Sequence, residues 1–200
     1  SEQLSSQDHY DYGMRAVKTI IVAAGNLKRA TPDEAEDVLT LRAIRDCNVP
    51  KFLQADLPLF DGITQDLFPE TTLPDADYGS LLSALEASCA AQVLQPVPAF
   101  LKKCIQLYET ILVRHGLMTV GATFSGKSEV RHCLQRALTE LKGTDDKYEG
   151  AVKEYVLNPK SIKMGELYGC FDDVSHEWSD GILAVTYRNA AQNTSTDRQW

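Results

Sequence analysis

The 200-residue sequence has no C-x-x-C pair, no run of basic residues, no low-complexity tract and no internal repeat. Its apolar runs all fall short of the ~20 residues that a membrane helix needs. Each absence removes a class. The five cysteines (Cys47, Cys89, Cys104, Cys133, Cys170) are odd in number and scattered. They fit reduced, mostly buried thiols in a reducing compartment better than a disulfide framework or a zinc site. Lys and Arg total 20 against 28 Asp and Glu, a formal net charge of -8. That balance argues against a nucleic-acid surface, which needs a basic surplus on one face, and makes an acidic partner a poor fit. A soluble chain without membrane contact is expected. The opening SEQLSSQDHY has neither a charged n-region nor an apolar h-region, so no secretory signal is expected, and it lacks a start Met, as an excised piece would.

What is present is ordinary globular composition, 44% hydrophobic and 24% charged residues, at a length that suits one domain or two small ones. RAVKTIIVAAGNLKR places Ala16, Val17, Ile20, Ile21, Ala24 and Leu27 at helical spacing. TPDEAEDVLTLRAIRD predicts a second helix with Thr31 as cap, Pro32 at its first position and Glu34 closing a capping box. Its expected buried stripe is Ala35, Val38, Leu39 and Ile44. Pro50, Pro58 and Pro69 break the next stretch into short helical turns, and LLSALEASCAAQ reads as another helix. A two-proline seam, VLQPVPAF, marks a domain boundary. Beyond it the expected order is a helix from Pro98 to about Gly116, a short strand Leu117–Val120, a loop, the helix SEVRHCLQRALTELKG, a strand in VKEYVLN ended by Pro159, and a last helix in HEWSDGILAVTYRNAA. The fold class is α/β preceded by an all-α part.

Between that first strand and its helix lies GATFSGKS, which satisfies G-x-x-x-x-G-K-[ST] through Gly121, Gly126, Lys127 and Ser128. The chemistry requires backbone N–H groups turned toward phosphates, an ammonium near the outer phosphates and a hydroxyl for Mg²⁺. Chance supplies such a match in roughly one chain of this length in a hundred, and the strand-to-helix context narrows it further. The loop residues Gly121, Ala122, Thr123, Phe124, Ser125, Gly126, Lys127 and Ser128 are therefore the candidate phosphate cradle. A turn with a surface lysine is the plain alternative. Hydrolysis needs a further acid at the end of another strand. Asp172 and Asp173 are the nearest candidates, and nothing before them reads as a buried strand, so they read as loop or cap acids. His9, His115, His132 and His176 have no metal-ligand spacing; His115 suits the last turn of its helix, and Glu177 and Asp180 suit the first turn of theirs. Asn158, ending a strand, faces either a ligand or a turn.

SSQDHYDYGMRAVK, VPKFLQADLPLFDGITQDLFP, LQPVPAFLKKCIQLYETILVRHG, NPKSIKMGELYG and FDDVSHEWSDGIL together resemble the heavy chain of dynein, a ring of six AAA+ modules in one polypeptide. The wording is most similar to an axonemal, inner-arm chain. The resemblance implies that residues 1–75 are the helical small subdomain of the first module, 76–94 a linker with a helix, and 95–200 the start of the second module's large α/β subdomain, which carries the loop. It implies ATP or ADP and Mg²⁺ as ligands, with Ser128 offered to Mg²⁺, and a second-module site that holds nucleotide with little hydrolysis. By analogy Leu94 and Val97 would wall the adenine, and Arg15 would be a sensor for the first module's nucleotide. Implied partners are neighbouring modules of the same chain, other dynein subunits, and the microtubule only through distant parts. The implied place is the cytoplasm and cytoskeleton, in the axoneme of a cilium or flagellum. The missing acidic strand would follow Trp200. Glu70 departs from the family, where glycine is usual in that turn. Two other readings stay open: an independent P-loop NTPase or kinase-like enzyme with a helical regulatory cap, and a structural module that binds neither nucleotide nor metal.

Overall fold

The computed structural model describes residues 3–71, 73, 78–114, 116–144 and 148–200. In chain order the helices are α1 (Met14–Ala30), α2 (Glu36–Asn48), α3 (Leu57–Leu67), α4 (Gly79–Ala91), α5 (Pro98–Val113), α6 (Lys127–Glu140), α7 (Met164–Tyr168) and α8 (Ile182–Gln192). The strands are β1 (Val152–Lys153), β2 (Gly169–Phe171), β3 (Trp178–Asp180) and β4 (Arg198–Gln199). They gather in two compact units, Ser1–Tyr78 with Val97–Arg131, and Gly79–Pro96 with His132–Trp200.

The first unit is helical. Ala23, Ala43 and Cys47 are buried between α1 and α2, with Ile20, Ala24, Leu27 and Val113 of α5 packed against them. The small alanines at the contact leave room for the two helices to lie close. Only a narrow stripe of α1 is covered. Val17 and Ile21, expected on the buried face, are 44% and 66% exposed, because α2 reaches just one side of the helix. The expected start of α2 is also corrected. Thr31 closes α1 instead, with its N–H and its Oγ1 both donating to Leu27 O at 2.8 and 2.9 Å. Residues 31–34 then turn, Glu34 N–H donating to Thr31 O and Lys28 Nζ to Glu34 O, and the helix begins at Glu36 with acids Glu36 and Asp37 in its first turn. Those acids complement the positive end of the dipole. Pro58 and Pro98 sit at the first turns of α3 and α5, where a missing N–H costs nothing.

The expected strand Leu117–Val120 does not form. Among the described residues no strand lies beside it to take its N–H and C=O groups, and a lone strand has no ladder. Met118 and Val120 are 89% and 86% exposed.

The second unit is built on α4 and the C-terminal part of α6. Leu81, Leu85, Cys89, Cys133, Leu134 and Leu138 are all fully or almost fully buried. Ser88 Oγ donates to Cys133 O, and the Cys89 and Cys133 sulfurs lie 3.6 Å apart as free thiols. Burial and the adjacent thiol push the Cys89 pKa up to about 11. The expected strand in 152–158 pairs through Val152 and Lys153, parallel to β4, with Arg198 N–H to Ala151 O, Trp200 N–H to Lys153 O and Tyr155 N–H to Trp200 O, each 2.8 Å. Asp197 clamps this pair: Oδ1 accepts from Ala151 N–H and Lys142 Nζ, and Oδ2 lies 3.0 Å from Lys153 Nζ. Gly150 is where the two segments of this pair touch, since a Cβ there would stand 2.0 Å from Thr196 O.

The helix expected across HEWSDGILAVTYRNAA begins only at Ile182. Trp178–Asp180 instead pairs antiparallel with Gly169–Phe171 as a hairpin, with Phe171 and Trp178 rings edge to face at 5.1 Å. Both strands are largely exposed, so neither carries the alternating apolar pattern that marks a half-buried strand.

Candidate nucleotide-binding loop

The loop starts from α5, whose residues Leu101, Cys104 and Tyr108 are buried and fix it in the first unit. Gly121–Gly126 has no regular secondary structure, and α6 begins at Lys127. The turn closes through Ser125 N–H to Ala122 O at 3.3 Å, and Val130 N–H to Gly126 O at 2.9 Å starts the helix. Gly126 holds φ at 82°, a conformation that side-chain-bearing residues rarely adopt. Lys127 folds back over the loop, its Nζ donating to Gly121 O at 2.9 Å, Ala122 O at 2.6 Å and Ser125 Oγ at 3.4 Å. Four of the expected cradle residues thus meet around one ammonium, beside a helix N-terminus whose first N–H groups have no intrahelical acceptor.

Phe124 takes φ 63° and its ring is wholly exposed, so the loop interior is not filled by it. At Gly121 a Cβ would press on Ser125 Oγ at 3.0 Å. Ser128, in the first turn, is exposed. The donor set fits a polyphosphate with its cation: an ammonium held by carbonyls that a phosphate can replace, a free-standing hydroxyl, and a backbone kept open by two glycines.

Val97 is 48% exposed and stands just before α5, accepting from Phe100 N–H; Leu94 is half-buried in the other unit, its N–H donating to Cys89 O. Arg15 lies in the first turn of α1 with its side chain 91% exposed and its Nε 3.8 Å from Asp11 Oδ2. Asn158 turns on itself, its Oδ1 accepting from Lys160 N–H. Asp172 caps the hairpin turn, and the N–H groups of Ser175 and then Val174 hold its carboxyl below the usual carboxylate range. Asp173 is exposed in the same turn. Glu177 and Asp180 are not in a first helical turn: Glu177 precedes β3, and Asp180 ends it, bonded to Trp178 Nε1 and Arg188. His9 Nε2 bonds to Lys51 O, His176 takes φ 55° in the hairpin, and His132 lies within α6. His115 falls outside the described residues. Glu70 helps line a shallow cavity of about 260 Å³ with Asp37, Leu67, Phe68, Pro69 and Thr71, none of them a loop residue. Among the described residues no group of three or more His, Cys, Asp or Glu could hold a metal ion, and no helix is long and apolar enough to cross a membrane.

Two side-chain clusters escaped the sequence analysis. Tyr78 Oη donates to Glu109 Oε1 at 2.9 Å, and Asp46 shares this setting with Arg42 and Arg45. Burial, then the charge of Glu109, pushes Asp46 up to about 6 against the two arginines; burial likewise raises Glu109 and Tyr78. The second cluster joins Asp56, Ser5 and Tyr10. The bonds from Tyr78 to Glu109 and from Ser5 and Tyr10 to Asp56 join residues 31, 51 and 46 positions apart, which leaves no spacing signal.

The family described as the hydrolytic ATP binding site of dynein motor region matches residues 1–128, ending on the last residue of the loop. The whole chain is 58% identical over 204 residues to dynein axonemal heavy chain 1 of Homo sapiens, 5% of that protein. It is 56% identical over 200 residues to dynein axonemal heavy chain 12 of Rattus norvegicus, 6% of that protein. To dynein axonemal heavy chain 3 of Mus musculus it is 54% identical over 200 residues, 5% of that protein. Each alignment covers 100% of this chain, which spans about one-twentieth of the length of these curated relatives.

Proposed function

The chain belongs to the dynein heavy-chain family, and from that premise we propose that it is a nucleotide-holding piece of an AAA+ motor ring in an axonemal, inner-arm heavy chain. Residues 1–75 form the small subdomain of the first module, 76–94 link, and 95–200 begin the second module. The ring drives microtubule motility of cilia or flagella through parts distant from this segment, with neighbouring modules and other dynein subunits as its partners. An independent P-loop enzyme is not favoured, since relatives aligned along the whole chain are heavy chains about twenty times its length.

One observation carries the reading: the Lys127 ammonium is folded onto Gly121 O and Ala122 O at the start of α6. Gly121 to Ser128 cradle the phosphates of ATP or ADP, Lys127 exchanging loop carbonyls for phosphate oxygens. Mg²⁺, when bound with the nucleotide, supplies charge neutralisation on the phosphates, and Ser128 offers it a hydroxyl. Leu94 and Val97 wall the adenine. This second-module site turns over little and acts by occupancy, stabilising the form that binds nucleotide. Arg15 serves the first module, its guanidinium reporting on the phosphate.

Titrating the full heavy chain with a fluorescent ATP analogue tests the loop. Lys127→Ala removes one equivalent of bound nucleotide per chain. An unchanged stoichiometry and affinity would leave the loop a turn with a surface lysine.

A further inference from the structure

Arg15 has almost no packing of its own, with a side chain 91% exposed and, among the described residues, one ion-pair partner at 3.8 Å. Its place is therefore inherited from where α1 begins. That start is tied to a distant turn by one carboxylate. Asp56, 8% exposed, accepts from Ser5 N–H through Oδ1 at 3.2 Å, and from Ser5 Oγ and Tyr10 Oη through Oδ2, the latter at 2.7 Å. Tyr10 Oη in turn accepts from Leu53 N–H at 2.7 Å, so the phenol both donates and accepts. Its ring stands edge to face on Phe52 at 5.1 Å, and Phe52 does the same on Phe60 at 4.9 Å. His9 Nε2 adds a bond to Lys51 O.

Little slack remains between Tyr10 and Arg15. Asp11 Oδ1 accepts from Gly13 N–H at 2.9 Å, and Gly13 O accepts from Ala16 and Val17 N–H at 3.0 and 3.2 Å. An anchored residue, a side-chain-closed turn and the first helical turn thus follow one another directly, and Asp11 also presents Oδ2 to Arg15. From this arrangement we infer that Asp56, acting through Ser5 and Tyr10, is a positioning residue that holds Arg15 where the first module's nucleotide presents its phosphate. The inference rests on the reading of Arg15 as a sensor. The hydrogen bonds from Ser5 and Tyr10 keep the Asp56 carboxyl below the usual carboxylate range, so the anchor is ionised at neutral pH.

A double-mutant cycle in the full heavy chain tests it, reading KM for ATP and kcat separately. Tyr10→Phe keeps the ring and deletes the hydroxyl. It should raise KM about threefold to tenfold while kcat stays within about twofold, and it should do nothing further in an Arg15→Ala background. Ser5→Ala, which takes one hydroxyl from Asp56, is read in the same cycle and serves where Tyr10→Phe does not fold. Equal effects with and without Arg15, or no effect with Arg15 present, would overturn the positioning role while Arg15 keeps its own. If Arg15→Ala alone changes neither constant, the sensor reading falls and the positioning role falls with it.

Discussion

Phe124 holds φ at 63° with its ring wholly in solvent, while two residues on Gly126 holds 82° with no side chain to strain. A residue with a Cβ in that region costs about 1–2 kcal/mol. Gly126→Ala should therefore weaken ATP at this loop by about 5- to 30-fold, measured by titration of the full chain. Phe124→Gly removes a strained, contact-free residue and should keep or tighten affinity; a loss would mean that the ring touches the nucleotide. The loop was legible because its chemistry is local: eight consecutive residues carry the glycines, the ammonium and the hydroxyl. The Lys127 contacts to Gly121 O and Ala122 O span only five or six residues. Asp56 was not legible, since the residues that give it meaning lie 46 and 51 positions away and serine and tyrosine carry no periodic signal.

Among the elements, long amphipathic helices were readable and short strands were not. The 3.6-residue spacing in α1, α5 and α6 names the helices even where neighbours cover less of them than expected. β1, β2, β3 and β4 are two or three residues each, too short for an alternation to show. Beside its backbone bonds, the β1–β4 pair is fastened by one side chain, Asp197. Lys153 and Lys142 depress the Asp197 pKa to about 2, below its ordinary 3.8. Its stabilisation is thus fully present above about pH 4 and lost as pH falls toward 2. Asp197→Ala should speed amide exchange at residues 150–155 and 198–200 near pH 7, with the difference from wild type vanishing in strong acid. An equal rate at neutral pH would make the clamp incidental. Asp46 between α2 and α5 has the opposite sign. Its pKa is raised to about 6, so stabilisation is complete below about pH 4 and lost as pH rises through 6. Asp46→Asn should slow exchange in α2 and α5 at pH 8, by on the order of 1 kcal/mol after allowance for partial exposure, and not at pH 4.

At the scale of the whole molecule, two compact units and a family shared with heavy chains about twenty times longer give the loop its setting. Leu117–Val120, expected as an apolar strand, pairs with no strand among the described residues, and the Gly121–Gly126 turn is closed by its own hydrogen bonds. An acyl-phosphate of ATP examines that cradle directly, because it transfers its acyl group to a lysine held beside the bound phosphates. In the full heavy chain, Lys127 should be acylated far faster than the helix lysines Lys102 and Lys103, and excess Mg·ATP should protect it. Acylation of Lys127 at the pace of those two, indifferent to ATP, would contradict a nucleotide at this loop.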